Sequence, residues 1–107
     1  SYKSFTDFYD NIVSIKNALY GNIDGSTYNG NSIMAYLTKY KPELATGIKS
    51  ALDASFAALD VCLQGRPFVL IAGSGTQQEL DNVENAMTAI NSLNTALNEA
   101  KDWIIAN

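Results

Sequence analysis

Thr76-Gln-Gln-Glu-Leu-Asp-Asn-Val-Glu-Asn-Ala-Met-Thr-Ala-Ile-Asn-Ser-Leu-Asn-Thr-Ala-Leu-Asn-Glu-Ala-Lys-Asp-Trp-Ile-Ile105 runs without a glycine or proline. Leu80, Val83, Met87, Ile90, Leu93, Leu97 and Ile104 recur in it at steps of three, four or seven. That spacing draws one apolar stripe along an α-helix. Thr76 and Glu79 form a capping box, in which the hydroxyl takes the amide of the third helical residue and the carboxylate reaches back. The stretch predicts the longest helix of the chain, about residues 76–105. A helix with a single apolar stripe must bury it against other elements, so the rest of the chain is expected to supply packing partners. Trp103 is expected to pack on a neighbour near the helix end, or on a partner outside this chain.

Working back toward the N-terminus, Gly65 to Gly75 interrupts the helical pattern at both ends. Its apolar middle, Phe68 to Ala72, predicts a connection folded onto the core, with an unpartnered short strand as the alternative. Before it, Leu44, Ile48, Leu52, Ser55 or Phe56, Leu59 and Cys62 or Leu63 predict a helix over about 42–63. Ala45, Ala51, Ala54, Ala57 and Ala58 flank that stripe and allow close packing. Gly47, unfavourable in a helix by about 1 kcal/mol against alanine, is read as the mark of a close crossing. Pro42 suits the first turn of this helix and ends the one before it. That shorter helix carries Ile33, Met34, Leu37 and Tyr40, with Asn31 or Ser32 as its cap. Asn22 to Asn31 is a polar loop. Phe5, Phe8, Ile12, Ile15 and Leu19 predict a first helix over about 2–20, closed by Gly21 in the left-handed conformation. Three long helices and one short one predict an all-α antiparallel helical bundle, a single domain over residues 1–107.

The totals fit that class. The chain has 107 residues, 47% of them apolar. A chain this long buries roughly 65% of its unfolded surface without staples. Only 17% of residues are charged, and Asn, Ser and Thr fill the surface, a flavour commoner in exported proteins. Net charge is −4, with seven scattered cations, which argues against nucleic acid. The longest strictly apolar run, Phe68 to Ala72, is far short of the roughly 20 residues of a membrane span. The chain opens at Ser1 directly into an amphipathic pattern, read as a processed chain or a piece of a larger protein.

The sequence contains no histidine and one cysteine. Histidine is the usual general base near neutral pH and the commonest metal ligand. Ser-His-Asp, Cys-His, His-Glu-x-x-His and Glu-x-x-His constellations are therefore excluded. The carboxylates read as surface groups, although Asp7 with Asp10 and Asp53 with Asp60 have spacings that place them on shared faces. Asn22-x-Asp24-x-Ser26 departs from a calcium loop at its glycine and glutamate positions. Gly73-Ser-Gly-Thr76 precedes a helix like an anion cradle but lacks the lysine of a phosphate loop. Cys62 reads as a buried small hydrophobe. Six tyrosines, at 2, 9, 20, 28, 36 and 40, crowd the first 40 residues. They form either a binding surface or a bundle layer with wet edges.

Asn11-Ile-Val-Ser-Ile-Lys-Asn-Ala-Leu-Tyr-Gly21 is followed, after the polar loop, by Ser32-Ile-Met-Ala-Tyr-Leu-Thr-Lys-Tyr-Lys-Pro-Glu-Leu44. An alanine-rich helix, Pro67-Phe68 and a last long helix complete the order. This order resembles the C-terminal half of the imelysin family over nearly the whole chain. The resemblance implies a bacterial cell-envelope protein, periplasmic or anchored to the outer membrane as a lipoprotein, linked to iron uptake and built from two helical bundles. It places the family's Gly-x-His-x-x-Glu motif in an N-terminal bundle, and no such motif occurs here. The implied partner is thus an N-terminal bundle of the same parent protein. This chain would hold no cofactor itself, with iron or another metal in the complete protein. The metallopeptidase label of the family depends on the absent motif, so a non-enzymatic role is expected. Asn17, Tyr20 and Gly21 match the family's helix-end motif. Asn17, Tyr20 and Arg66 are the candidate ligand or interdomain residues, with no catalytic and no metal residues expected. The alternative is a free-standing interaction module with a tyrosine-rich face on the first helix and its loop.

Overall fold

The computed structural model describes residues 4–22, 27–66, 71, 73 and 75–107. Among the described residues, four helices carry the fold: α1 (Phe5–Tyr20), α2 (Ile33–Tyr40), α3 (Pro42–Leu63) and α4 (Gln77–Ala106). The fold is all-α, as expected.

The helix ends follow the local chemistry of the sequence. Ser4 caps α1, and Asp7 reaches back to the Ser4 amide in a capping box. The predicted start at residue 2 falls outside the described residues. Gly21 closes α1 at φ 75° and donates its N–H to the Asn17 carbonyl at 2.8 Å. Ser32, rather than Asn31, caps α2. Pro42 opens α3, where its missing N–H costs nothing because first-turn amides have no helical partner. Thr76 and Glu79 cap α4 reciprocally.

α3 is the central element and packs on each of the other three, most extensively on α4. Tyr9 meets Phe56 at 5.1 Å between ring centroids, while Tyr20 lies near Ala45 and Lys49. α1 therefore runs antiparallel to α3. Cys62 meets the Asn82 carbonyl near the start of α4, so α3 and α4 form an antiparallel pair. The 30 residues of α4 give a rod of about 45 Å, which accounts for the 48 Å long dimension of the molecule.

Of the buried positions of α3, Ala45, Ile48, Leu52, Ser55, Leu59 and Cys62 alternate steps of three and four, with Ala51 beside them. Those of α4 are Ala86, Leu93 and Ala100, one heptad apart. This is a coiled-coil-like seam, and its alanines let the two helices approach closely. Leu37, Ile48, Leu59 and Leu93 are fully buried, each contributing roughly 1.5–3 kcal/mol. Ser55 satisfies its buried hydroxyl by donating to the Ala51 carbonyl at 2.8 Å.

Three details correct the sequence reading. Leu63, Leu80, Ile104 and Tyr40 are 42%, 44%, 37% and 55% exposed and lie outside the core. The seam passes through Cys62, and one further residue turns Leu63 about 100° away from it. Gly47 marks no crossing, because a side chain there would meet nothing within 4 Å. Ile71 is buried in the core, and the backbone is helical at Ile71 and at the exposed Gly73. The strand alternative therefore fails at those two positions, while 67–70 and 72 lie outside the described residues. Trp103 packs on Tyr36 of α2 at 5.9 Å. No helix among the described residues is long and apolar enough to cross a membrane.

Candidate functional site

The end of α1 is pinned to the start of α2 by short-range hydrogen bonds. The Asn29 N–H donates to the Tyr20 carbonyl at 2.7 Å, and the Ser32 N–H to the Asn29 carbonyl at 3.0 Å. The Asn31 N–H donates to Asn29 Oδ1 at 2.8 Å. These bonds bring Tyr28 edge-on to Tyr20, with ring centroids 6.2 Å apart at 84°. α2 adds Met34 and Thr38, and the first two turns of α3 add Pro42, Ala45, Thr46 and Lys49. Together with Thr27 they enclose a pocket of about 520 Å3, within the size range of small-molecule sites.

The pocket has an apolar floor and a polar edge. Tyr20 is 5% exposed, and its hydroxyl makes no hydrogen bond among the described residues. No side-chain polar atom among those residues is both sealed from solvent and unpartnered, so this hydroxyl is not fully sealed. Burial raises the Tyr20 pKa above 10.0, helped by the nearby Asp53 carboxylate and by Tyr28, so the phenol stays a proton donor. Lys16 Nζ stands over the Tyr20 ring at 5.2 Å and over Phe56 at 5.7 Å, which fixes the ring from its other side. Thr38 spends its hydroxyl proton on the Met34 carbonyl at 2.6 Å and offers only an acceptor. Lys49 is the single charged residue among the described lining residues. Its pair with Asp53 spans 3.9 Å, and both side chains are about two-thirds exposed, so the pair binds weakly.

The three residues singled out in the sequence do not converge. Tyr20 lines the pocket. Asn17 stands one turn earlier, half-buried, and its backbone carbonyl serves the α1 cap. Arg66 lies by the start of α1, beside Ser4 and Thr6, while Tyr20 ends that 16-residue helix, a helix length of about 24 Å. Arg66 hydrogen-bonds Glu79 and lines a separate hollow of about 220 Å3 with Ser4, Phe5 and Cys62. Sequence reasoning missed Thr38, Thr46 and Lys49. They are ordinary helix positions without a motif, and only the return of the loop to Tyr20 makes them a wall.

The tyrosines divide. Tyr9 and Tyr20 pack inward, whereas Tyr28, Tyr36 and Tyr40 are exposed. Tyr36 and Tyr40 stack at 4.9 Å on the outer face of α2. Tyr2 lies outside the described residues.

No three His, Cys, Asp or Glu side chains gather among the described residues. Asp7 caps α1, Glu79 is taken by Arg66 and Thr76, and Cys62 is buried against the Asn82 carbonyl at 3.4 Å. At the cradle-like turn before α4, the Glu79 carboxylate itself takes the Thr76 amide at 3.0 Å; Ser74 lies outside the described residues. Of the calcium-like loop, Asp24 and Ser26 lie outside them, and Asn22 donates to the Thr27 carbonyl at 2.7 Å.

The described residues thus form an all-α bundle with a half-open pocket where α1, α2 and α3 meet. By sequence, the chain belongs to the imelysin family: the family's sequence model, described as Imelysin and labelled a peptidase, matches residues 1–103. That family is generally extracellular or envelope-associated. The peptidase label by itself gives no sign of catalysis in this domain. No curated protein and no solved structure matches the chain.

Proposed function

We propose that this chain is a non-catalytic module of an imelysin-type cell-envelope protein associated with iron uptake. In this reading it supplies one wall of a ligand or metal site, and an N-terminal bundle of the same parent protein supplies the other. The observation that carries the reading is the half-open pocket at Tyr20, with a largely buried phenol that has no partner among the described residues. A donor with so little access to water gains from an acceptor placed beside it, and a ligand at this wall would supply one. The absence of histidine from the sequence supports the non-catalytic part, since general-base and metal chemistry at neutral pH most often uses it.

The test is to mix isotopically labelled 1–107 with the N-terminal bundle and follow backbone amide shifts. Shifts at Tyr20, Tyr28, Thr38, Thr46 and Lys49 are expected. Docking confined to the opposite end, around Arg66, overturns the shared wall. Peptide cleavage by 1–107 alone that a chelator abolishes overturns the non-catalytic part.

A second reading, a free-standing interaction module, is favoured by the exposed Tyr36–Tyr40 stack on α2. It differs in outcome: a partner would shift α2 amides and leave Thr46 and Lys49 unmoved.

A further inference from the structure

We propose that the Tyr20 pocket is a binding site for a small, largely apolar carboxylate, an aryl or branched-alkyl acid. Its body would lie on Tyr28, Met34, Pro42 and Ala45, and its carboxylate would accept from the Tyr20 hydroxyl and the Lys49 ammonium. The inference rests on the reading of this corner as a ligand-facing wall and adds the chemistry of the ligand.

Three observations set that chemistry. The lining offers a tyrosine ring, a thioether, a proline ring and an alanine, surfaces that reward apolar contact and discriminate little by hydrogen bonding. The directional groups are donors: Tyr20 is only 5% exposed, with a hydroxyl that has no partner among the described residues. Among the described lining residues Lys49 is the one charge, held by Asp53 only at 3.9 Å and at an exposed position. The Asp53 carboxylate acts on Tyr20 but is outside the described lining, so the ammonium is the charge a ligand in the pocket meets directly. The volume of about 520 Å3 suits a single small molecule and leaves no room for a folded segment.

The test is a titration of 1–107 with phenylacetate and with phenylacetamide, its neutral counterpart of nearly the same shape, read by amide shifts. Phenylacetate is expected to give saturable shifts at Tyr28, Thr38, Ala45, Thr46 and Lys49, and phenylacetamide the same map with lower affinity. Lys49→Gln, at an exposed site that leaves folding intact, is expected to weaken phenylacetate by up to about fivefold. It should leave phenylacetamide unchanged. Tyr20→Phe is expected to weaken both by about fivefold, with its amide spectrum confirming the fold. Equal affinity of the unsubstituted protein for the two probes, or a Lys49→Gln substitution that weakens both equally or neither, overturns the proposal. Saturation without shifts at this corner, or no saturation by either probe, overturns it as well. If the N-terminal bundle still docks on the corner while neither probe binds, the ligand class falls and the shared wall stands.

Discussion

Arg66 and Glu79 are joined by two parallel hydrogen bonds, Nε to Oε2 at 2.7 Å and Nη2 to Oε1 at 2.5 Å. The same carboxylate accepts the Thr76 amide at the start of α4. One pair of residues thus ties the end of α3 to the cap of α4 across a connection of thirteen positions. The guanidinium hydrogen bond, followed by the Thr76 amide, lowers the Glu79 pKa from 4.5 to about 2. Between those values the unfolded chain binds the proton and the folded chain does not. The stabilisation is therefore complete above pH 4.5 and lost as pH falls through about 2. Urea midpoints between pH 7 and about pH 2 should show an acid decline that Glu79→Gln flattens. An unchanged acid limb in the variant would show that the clasp is not coupled to folding.

The α3–α4 seam predicts opposite fates for two leucines four residues apart. Leu59 is 0% exposed and Leu63 is 42% exposed. Leu59→Ala should destabilise by about 3 kcal/mol through lost burial and the cavity left behind. Leu63→Ala should stay within about 1 kcal/mol. Chemical denaturation of the two variants decides it, and equal losses would mean that the core runs through position 63.

These two leucines also show where the sequence is legible and where it stops. Helix ends are written locally: Ser4 with Asp7, Gly21, Ser32, Pro42 and Thr76 with Glu79 each solve a problem within one turn of chain. The stripes are written as periodicity, and the four helices follow from them. The choice between Cys62 and Leu63 is not local, because it depends on which face α4 approaches, and hydrophobicity favours the wrong residue. On α4 the deepest positions include Ala86 and Ala100, which a search for large apolar residues passes over. Tyr20 was reachable through its helix-end motif. Lys49 and Thr46 were not, since their role comes from a loop that returns Tyr28 to the end of α1. Arg66 was noticed for its place beside Pro67, but its partner in the cap of α4 has no periodic signature.

Two glycines should respond oppositely to alanine. Gly47 sits mid-helix, where an added Cβ would meet nothing within 4 Å, whereas Gly21 has φ 75° and would press a Cβ to 3.1 Å from Asn29 Cβ. Gly47→Ala is expected to stabilise by about 0.5–1 kcal/mol. Gly21→Ala is expected to destabilise by at least about 1 kcal/mol, and to disturb the Asn29 and Ser32 bonds that shape the pocket. Thermal melts read the first effect, and amide shifts at Tyr28 read the second. A destabilised Gly47→Ala variant would mean that α3 has a neighbour at that face.

Cys62 reports on the same seam from the chemical side. It is 3% exposed, and its thiol approaches the Asn82 carbonyl at 3.4 Å. Burial raises its pKa above 9.0, which suppresses the thiolate that attacks disulfide reagents. Labelling by an aromatic disulfide at about pH 8 should therefore be slow in the native protein and should accelerate through the urea transition in step with the loss of helix. Because the reactive form requires α3 and α4 to separate, stabilising Gly47→Ala should slow labelling and Leu59→Ala should speed it. Fast labelling of the native chain, unaffected by those substitutions, would show that the start of α4 opens independently of the rest of the bundle.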